Sequence, residues 1–215
     1  FSNGSQSKRI KTAGKDIIGL SLGEPDFNIP DFIKDAAKQA VDDNYSSYSP
    51  VDGYLDLKEA IAEKFSRDNQ LDYKPSQIVV STGAKQSLAN IAMVMLNHGD
   101  EVILPAPYWV SYFEIVKMAG GIPVEVFADE SSNYCVTVEQ LEAARTPKTK
   151  ALIFCSPSNP TGSVYTVEQV RAIGEWALKH EIWVLTDEIY EHLLYDGATA
   201  PSLPVMFPEL RDRTI

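Results

Sequence analysis

Four side chains stand where chemistry can be done, each just after a short apolar run: Trp109, Asn159, Asp187 and Tyr190. Asp187 closes the run WVLTD. A carboxylate at the end of an apolar strand is desolvated, which is costly unless a cation or several donors face it. The alternative is that Asp187 caps a helix read over DEIYEHLLY. Tyr190 lies three residues on, within reach of the same space if that segment turns helically. Asn159 sits in CSPSNPTGSVY, where Pro157 and Pro160 hold Ser156 and Asn159 extended. Its amide is then aimed at a fixed point, or the segment is a rigid turn with no ligand. Trp109 follows EVILPAP, either as a platform for a flat ligand or packed beneath a helix.

A fifth feature is Thr82-Gly83-Ala84-Lys85-Gln86, which follows QIVVS and opens a helix. A glycine there lets the first helical N–H groups of Ala84 and Lys85 converge on one spot as an anion cradle; the plainer reading is a helix start with a convenient glycine. The stretch lacks the second glycine of a Walker A loop and is not GxGxxG. Cradle, platform, fixed amide and desolvated carboxylate together suit a flat, phosphorylated heteroaromatic ligand with a basic ring nitrogen. Pyridoxal 5'-phosphate fits that description, and the carboxylate would keep its ring nitrogen protonated.

The elements that must position these residues alternate. Strand candidates QIVVS, EVILP, PVEVF, ALIFC and WVLTD are separated by helix candidates AKQSLANIAMVMLN, YWVSYFEIVKMAG, TVEQLEAAR and TVEQVRAIGEWALKH. Apolar strands joined by helices predict a three-layer αβα domain of the α/β class, with a mainly parallel sheet covered on both faces. Ligands of such sheets bind at the carboxyl ends of the strands, where the five features fall. Residues 1–30 read as an N-terminal arm and the start of a small domain, with Gly23, Pro25 and Pro30 opposing a helix. Residues 31–215 read as the ligand-binding large domain. It opens with a helix from Asp31, with Ile33, Ala36, Ala37, Ala40 and Val41 on one face, and a second marked by Leu57, Ile61 and Phe65.

A net charge of −11 argues against a nucleic-acid partner, which needs a basic field. Cys135 and Cys155, with His98, His180 and His192, have no metal-ligand spacing, so no metal is expected. Two isolated cysteines suit a reducing, cytoplasmic compartment. No apolar run approaches a membrane span, and FSNGSQSKRIK lacks the apolar core of a signal peptide. The missing initiator methionine predicts a chain incomplete at that end.

The segments LSLGEPDF, YSSYSPVDGYLDLKEAIAEKF, STGAKQSL, GDEVILPAPYWVSY, CSPSNPTGSVY and LTDEIYEHLLY run in order over about Lys15 to Tyr195. In them the chain resembles the fold-type I, class I/II pyridoxal-phosphate aminotransferases, in the bacterial and plastid aspartate or prephenate branch. The resemblance implies ping-pong transamination between an L-amino acid, aspartate first, and a 2-oxo acid. It implies that Gly23 binds the substrate carboxylate, with Trp109 and Asn159 also facing substrate. Tyr48 would reach the cofactor phosphate of a neighbouring subunit, making a homodimer with shared active sites. Gly83, Ala84 and Lys85 would cradle the phosphate, Trp109 stack on the pyridine, Asn159 and Tyr190 donate to its 3-oxygen, and Asp187 pair with its nitrogen. The Asn159–Pro160 bond is expected to be cis. The cofactor-anchoring lysine and the substrate-binding arginine are expected after Ile215, leaving the large domain incomplete at that end. Rival readings are a carbon–sulfur lyase or aminocyclopropane-carboxylate synthase on the same fold, a Rossmann-type nucleotide enzyme, and a non-catalytic fragment.

Overall fold

A computed structural model describes residues 9, 10, 12–14, 16, 18, 23 and 27–215. Much of the arm read over 1–30, with most of LSLGEPDF, falls outside the described residues. The chain divides into two units, Phe1–Tyr48 and Ser49–Ile215.

The first unit holds α1 (Asp31–Asp42), which follows Pro30 and carries the exposed pairs Lys34–Asp31 and Lys38–Asp35. None of its residues is buried, so the apolar face read from Ile33 to Val41 stays open to solvent.

The second unit runs α2 (Leu55–Asn69), α3 (Ala84–Met95), β1 (Glu101–Ala106), α4 (Ser111–Met118), β2 (Ile122–Phe127), α5 (Val138–Ala144), β3 (Thr149–Cys155), α6 (Val167–Lys179), β4 (Trp183–Asp187) and α7 (Leu203–Met206). Helices α5 and α6 both start at TVEQ, and both threonines close capping boxes. Thr137 accepts from the Gln140 N–H and Thr166 from that of Gln169, while each glutamine side chain returns to the threonine N–H.

The four strands are parallel, in the order β2-β1-β3-β4. Alternate residues face opposite layers, as a pleated strand requires. Ile103, Leu152, Phe154 and Val184 pack with Leu141 of α5 and Val170, Ile173 and Ala177 of α6. Val102, Leu104, Ala151, Ile153 and Leu185 pack with Leu88 and Ala92 of α3 and Ile115 and Val116 of α4. This is the three-layer αβα arrangement. The strand order reverses between β1 and β3, so a crevice opens at their carboxyl ends.

Two expected elements do not form. QIVVS is extended at Ile78 but joins no strand among the described residues; its Val80 N–H donates instead to the Asp52 carbonyl at 3.1 Å. An extended run becomes a strand only when a neighbour offers a matching ladder, and the β4 edge is taken by Thr214 and Ile215. The Thr186 N–H donates to the Ile215 carbonyl at 2.8 Å, and the Ile215 N–H to Val184 at 3.0 Å. DEIYEHLLY is a succession of turns rather than a helix. The Asp187 carboxylate takes the Ile189 N–H at 3.3 Å, a local bond that competes with helix formation. Three-residue steps, Glu191 N–H to Glu188 and Leu193 N–H to Tyr190, follow.

Gly174 lies where α6 meets the Phe207 ring. A Cβ built there would stand 2.3 Å from the ring, so the helix and ring touch only because the side chain is absent. Gly174→Ala gains about 1 kcal/mol of helix propensity but overpacks a buried contact, which costs about 1–3 kcal/mol. Net destabilisation is expected, read as a lower urea midpoint at unchanged slope.

Candidate active site

The site is built from the segments leaving the carboxyl ends of β1, β3 and β4. β1 ends at Ala106, and Trp109 follows as the chain turns into α4, in which Tyr112 is buried. The Trp109 and Tyr112 rings meet edge to face at 5.5 Å and 89°. They are three residues apart, and the Tyr112 N–H donates to the Trp109 carbonyl at 3.0 Å in the turn that leads into α4. The Lys85 ammonium lies 5.0 Å from the Trp109 ring centroid, a cation–π distance.

Asp187, the last residue of β4, is aligned with Cys155, the last of β3. Tyr112 Oη donates to Asp187 Oδ2 at 2.6 Å, short enough for a charge-assisted bond. Asp187 thus has one oxygen on a buried phenol and the other on the Ile189 N–H. The surroundings hold Tyr112 neutral: burial first, then the neighbouring Cys155 and Asp187, push its phenol far above the ordinary range. Burial, followed by Asp187, likewise pushes the Cys155 thiol up. Tyr108, beside Tyr112 at a ring distance of 6.4 Å, is pushed up to about 12 by burial and by its bond to Glu125.

The loop after β3 braces itself. The Ser158 N–H donates to Ser163 and the Gly162 N–H to Ser158, both at 2.9 Å. Buried Ser156 Oγ accepts the Tyr165 N–H at 3.3 Å, while Tyr165 Oη accepts the Val136 N–H at 3.0 Å. The Ser156–Pro157 and Asn159–Pro160 bonds are both cis, as is Ala106–Pro107. From this frame Asn159 Nδ2 donates to Tyr190 Oη at 3.3 Å. The bond uses the phenol's oxygen as acceptor and not its proton. An amide and a hydroxyl therefore present two donors side by side, next to the strand that ends in Asp187.

Gly83 precedes α3 with φ 84° and ψ 157°, a conformation open only to glycine at low cost. It turns the chain so that the first N–H groups of α3 carry no side-chain cap. Gly83, Ala84 and Lys85 are all exposed. Gly23 and Tyr48 belong to the first unit; both are exposed, Tyr48 completely. Among the described residues no three His, Cys, Asp or Glu side chains cluster as a metal site.

Sequence reasoning missed Tyr112, whose place in WVSYF reads as core. The available signal was that a buried tyrosine needs a partner for its hydroxyl. It also missed Lys64, Asn69 and Glu191, whose side chains interlock behind Tyr190.

Residues 15–213 match the family model for aminotransferase class I and II. The chain is 52% identical over 212 residues to an aspartate aminotransferase of Streptomyces avermitilis, covering 98% of this chain and 52% of that protein. It is 50% identical over 210 residues to that of Geobacillus stearothermophilus, covering 98% and 53%. The aspartate aminotransferase of Rhizobium meliloti has the same fold, with a TM-score of 0.94 at 43% identity over 99% of this chain and 54% of that one. The Thermus thermophilus aspartate aminotransferase with maleate gives 0.92 at 41% identity over 99% and 55%. The chain spans about half the length of these curated relatives.

The buried phenols set an alkaline limit. Unfolded tyrosines ionise near pH 10, whereas Tyr112 and Tyr165 are held above that by burial. A raised native value means that their stabilising contribution is complete below about pH 10 and lost as pH climbs past it. Tyr112→Phe removes one such group. Urea unfolding at rising pH should show a shallower alkaline loss for the variant than for the parent.

Proposed function

Because the chain belongs to the class I and II aminotransferases, we propose that it is part of a pyridoxal-phosphate enzyme that moves an amino group from an L-amino acid to a 2-oxo acid. The observation that carries this reading is the polar arrangement at adjacent strand ends. Asp187 is oriented by Tyr112 at 2.6 Å, and the Asn159–Tyr190 donor pair stands beside it.

These groups fit a phosphorylated pyridine by their chemistry. The Asp187 carboxylate would hold the proton of a ring nitrogen, and Tyr112, neutral throughout the working pH range, would keep that carboxylate turned toward it. Asn159 and Tyr190 would donate to the oxygen on the ring's 3-carbon. Trp109 offers a flat face. The N–H groups of Ala84 and Lys85 would bind phosphate oxygens at the helix start that Gly83 opens. When bound, the protonated ring supplies an electron sink for the bond broken at the substrate α-carbon. Gly23 would bind the substrate α-carboxylate through its backbone. In the whole protein, a lysine beyond Ile215 would anchor the cofactor and move the proton.

Aspartate is the first candidate donor, with glutamate or prephenate on the paired half-reaction. The names of the relatives and the maleate, a dicarboxylate, in the Thermus structure support an acidic substrate. The active unit in this reading is a homodimer in which the partner subunit's Tyr48 reaches the phosphate. The compartment is a reducing cytoplasm, in keeping with two cysteines that form no disulfide. No helix among the described residues is long and apolar enough to cross a membrane.

In the full-length protein, Asp187→Ala should lower turnover with aspartate at least about a hundredfold while cofactor still binds. Stopped-flow turnover alongside cofactor absorbance tests this, and near-normal turnover would reject the role given to Asp187.

A further inference from the structure

The loop that carries Asn159 braces itself, but the segment that carries Tyr190 does not. Its two turn bonds, Glu191 to Glu188 and Leu193 to Tyr190, are local. The fixed points come from elsewhere in the fold. Glu188 accepts from Ser202 Oγ at 3.0 Å. Glu191, the residue next to Tyr190, is clasped from α2. Lys64 Nζ donates to Glu191 Oε1, Asn69 Nδ2 donates to Glu191 Oε2 at 2.8 Å, and Lys64 Nζ donates to Asn69 Oδ1 at 2.8 Å. Each of the three side chains is bonded to the other two.

This ring has features that an ordinary surface ion pair lacks. Both carboxylate oxygens are used, so Glu191 cannot rotate without losing a bond. The Lys64 and Glu191 side chains are 31% and 25% exposed, so water competes less than at the open pairs of α1. Over 120 residues of chain separate the partners, so the ring ties one distant element to the Tyr190 turn. His192 (3.6 Å from Glu191), Asp68 beside Lys64, and Glu188 are titratable groups nearby. None of them replaces the ring's bonds.

We infer that Glu191, locked by Lys64 and Asn69, is a positioning residue that sets where the Tyr190 hydroxyl stands against Asn159, and through it the acidity of whatever oxygen these two donors share. The inference rests on the function proposed above. Tyr190 touches the ligand, and the ring acts only through Tyr190. A one-residue lever is short: a change in the Glu191 backbone alters the neighbouring ψ and φ and swings the phenol directly.

The test uses the full-length protein with cofactor bound and reads the pH midpoint of the cofactor's visible absorbance. Tyr190→Phe defines the direction in which the midpoint moves when the hydroxyl is lost. Glu191→Gln removes a negative charge and Lys64→Met a positive one. A long-range charge effect therefore moves the midpoint in opposite directions, whereas lost positioning moves both toward Tyr190→Phe. The expected result is the latter, with no further movement when Glu191→Gln is added to Tyr190→Phe, and with the parent midpoint retained in Lys64→Arg. Opposite shifts, no shift, or a shift that persists undiminished in the Tyr190→Phe background would overturn the inference. Hydrogen exchange at residues 188–193 is an independent arm. Glu191→Gln should speed it at least about tenfold, the ratio that a lost bond to a charged group implies, and unchanged exchange also overturns the inference. A full-length protein that takes up no cofactor would instead reject the proposed function itself. Uptake with a Tyr190→Phe shift but no Glu191→Gln shift rejects only the positioning role.

Discussion

A carboxylate at the end of a buried strand has to be satisfied, and here the satisfying group is a phenol that is itself buried. The Tyr112–Asp187 bond at 2.6 Å joins α4 to β4 across the second core layer, and Cys155 lies alongside in register. Both partners would be costly alone, since an unpaired hydroxyl or carboxylate out of water loses its solvation with no return. Together they hold the phenol neutral and the carboxylate oriented. Trp109 stands three residues before Tyr112, in the turn that leads into α4, so one short stretch of chain presents both the aromatic face and the group that aims the carboxylate. The geometry of the site follows from docking α4 on the sheet.

The other two strand ends solve the same positioning problem in different ways. After β3, a loop rich in proline and serine ties itself together through Ser156, Ser158 and Ser163 and needs only Tyr165 from outside the turn. After β4, the turn has few bonds of its own and depends on Ser202, Lys64 and Asn69. A self-braced loop takes most of its bonds from within itself. A turn braced from α2 moves with α2. Asn159 and Tyr190 meet at 3.3 Å, yet they are fixed by different parts of the molecule, so their separation reports the packing of the whole second unit.

The exposed residues belong to the same picture. Tyr48, Phe32 and Val41 of the first unit present large apolar surfaces to solvent. The dimer proposed from the family likeness would cover part of this surface.

Much of the fold was legible from local pattern. Runs such as EVILP, ALIFC and WVLTD become strands because they are apolar and short. The two TVEQ segments start helices because threonine and glutamine can satisfy the first N–H groups without help from the rest of the chain. Trp109, Asn159, Asp187 and Tyr190 could be picked out because their types are unusual just after such strands. Pairing, however, depends on which edges are open. QIVVS stays unpaired beside Asp52, and Thr214 and Ile215 lie along β4. DEIYEHLLY has helical composition yet forms turns, because Asp187 takes a nearby N–H and Glu191 is held from α2. The partner of Tyr112 and the Lys64–Asn69–Glu191 ring are invisible in sequence for the same reason. The chain by itself determined which residue types stand at the strand ends, since that is a matter of local hydrophobicity and backbone restriction. Only the tertiary structure decided what each of them touches, because hydrogen bonds between residues 31 to over 120 positions apart exist only once helices and sheet have packed.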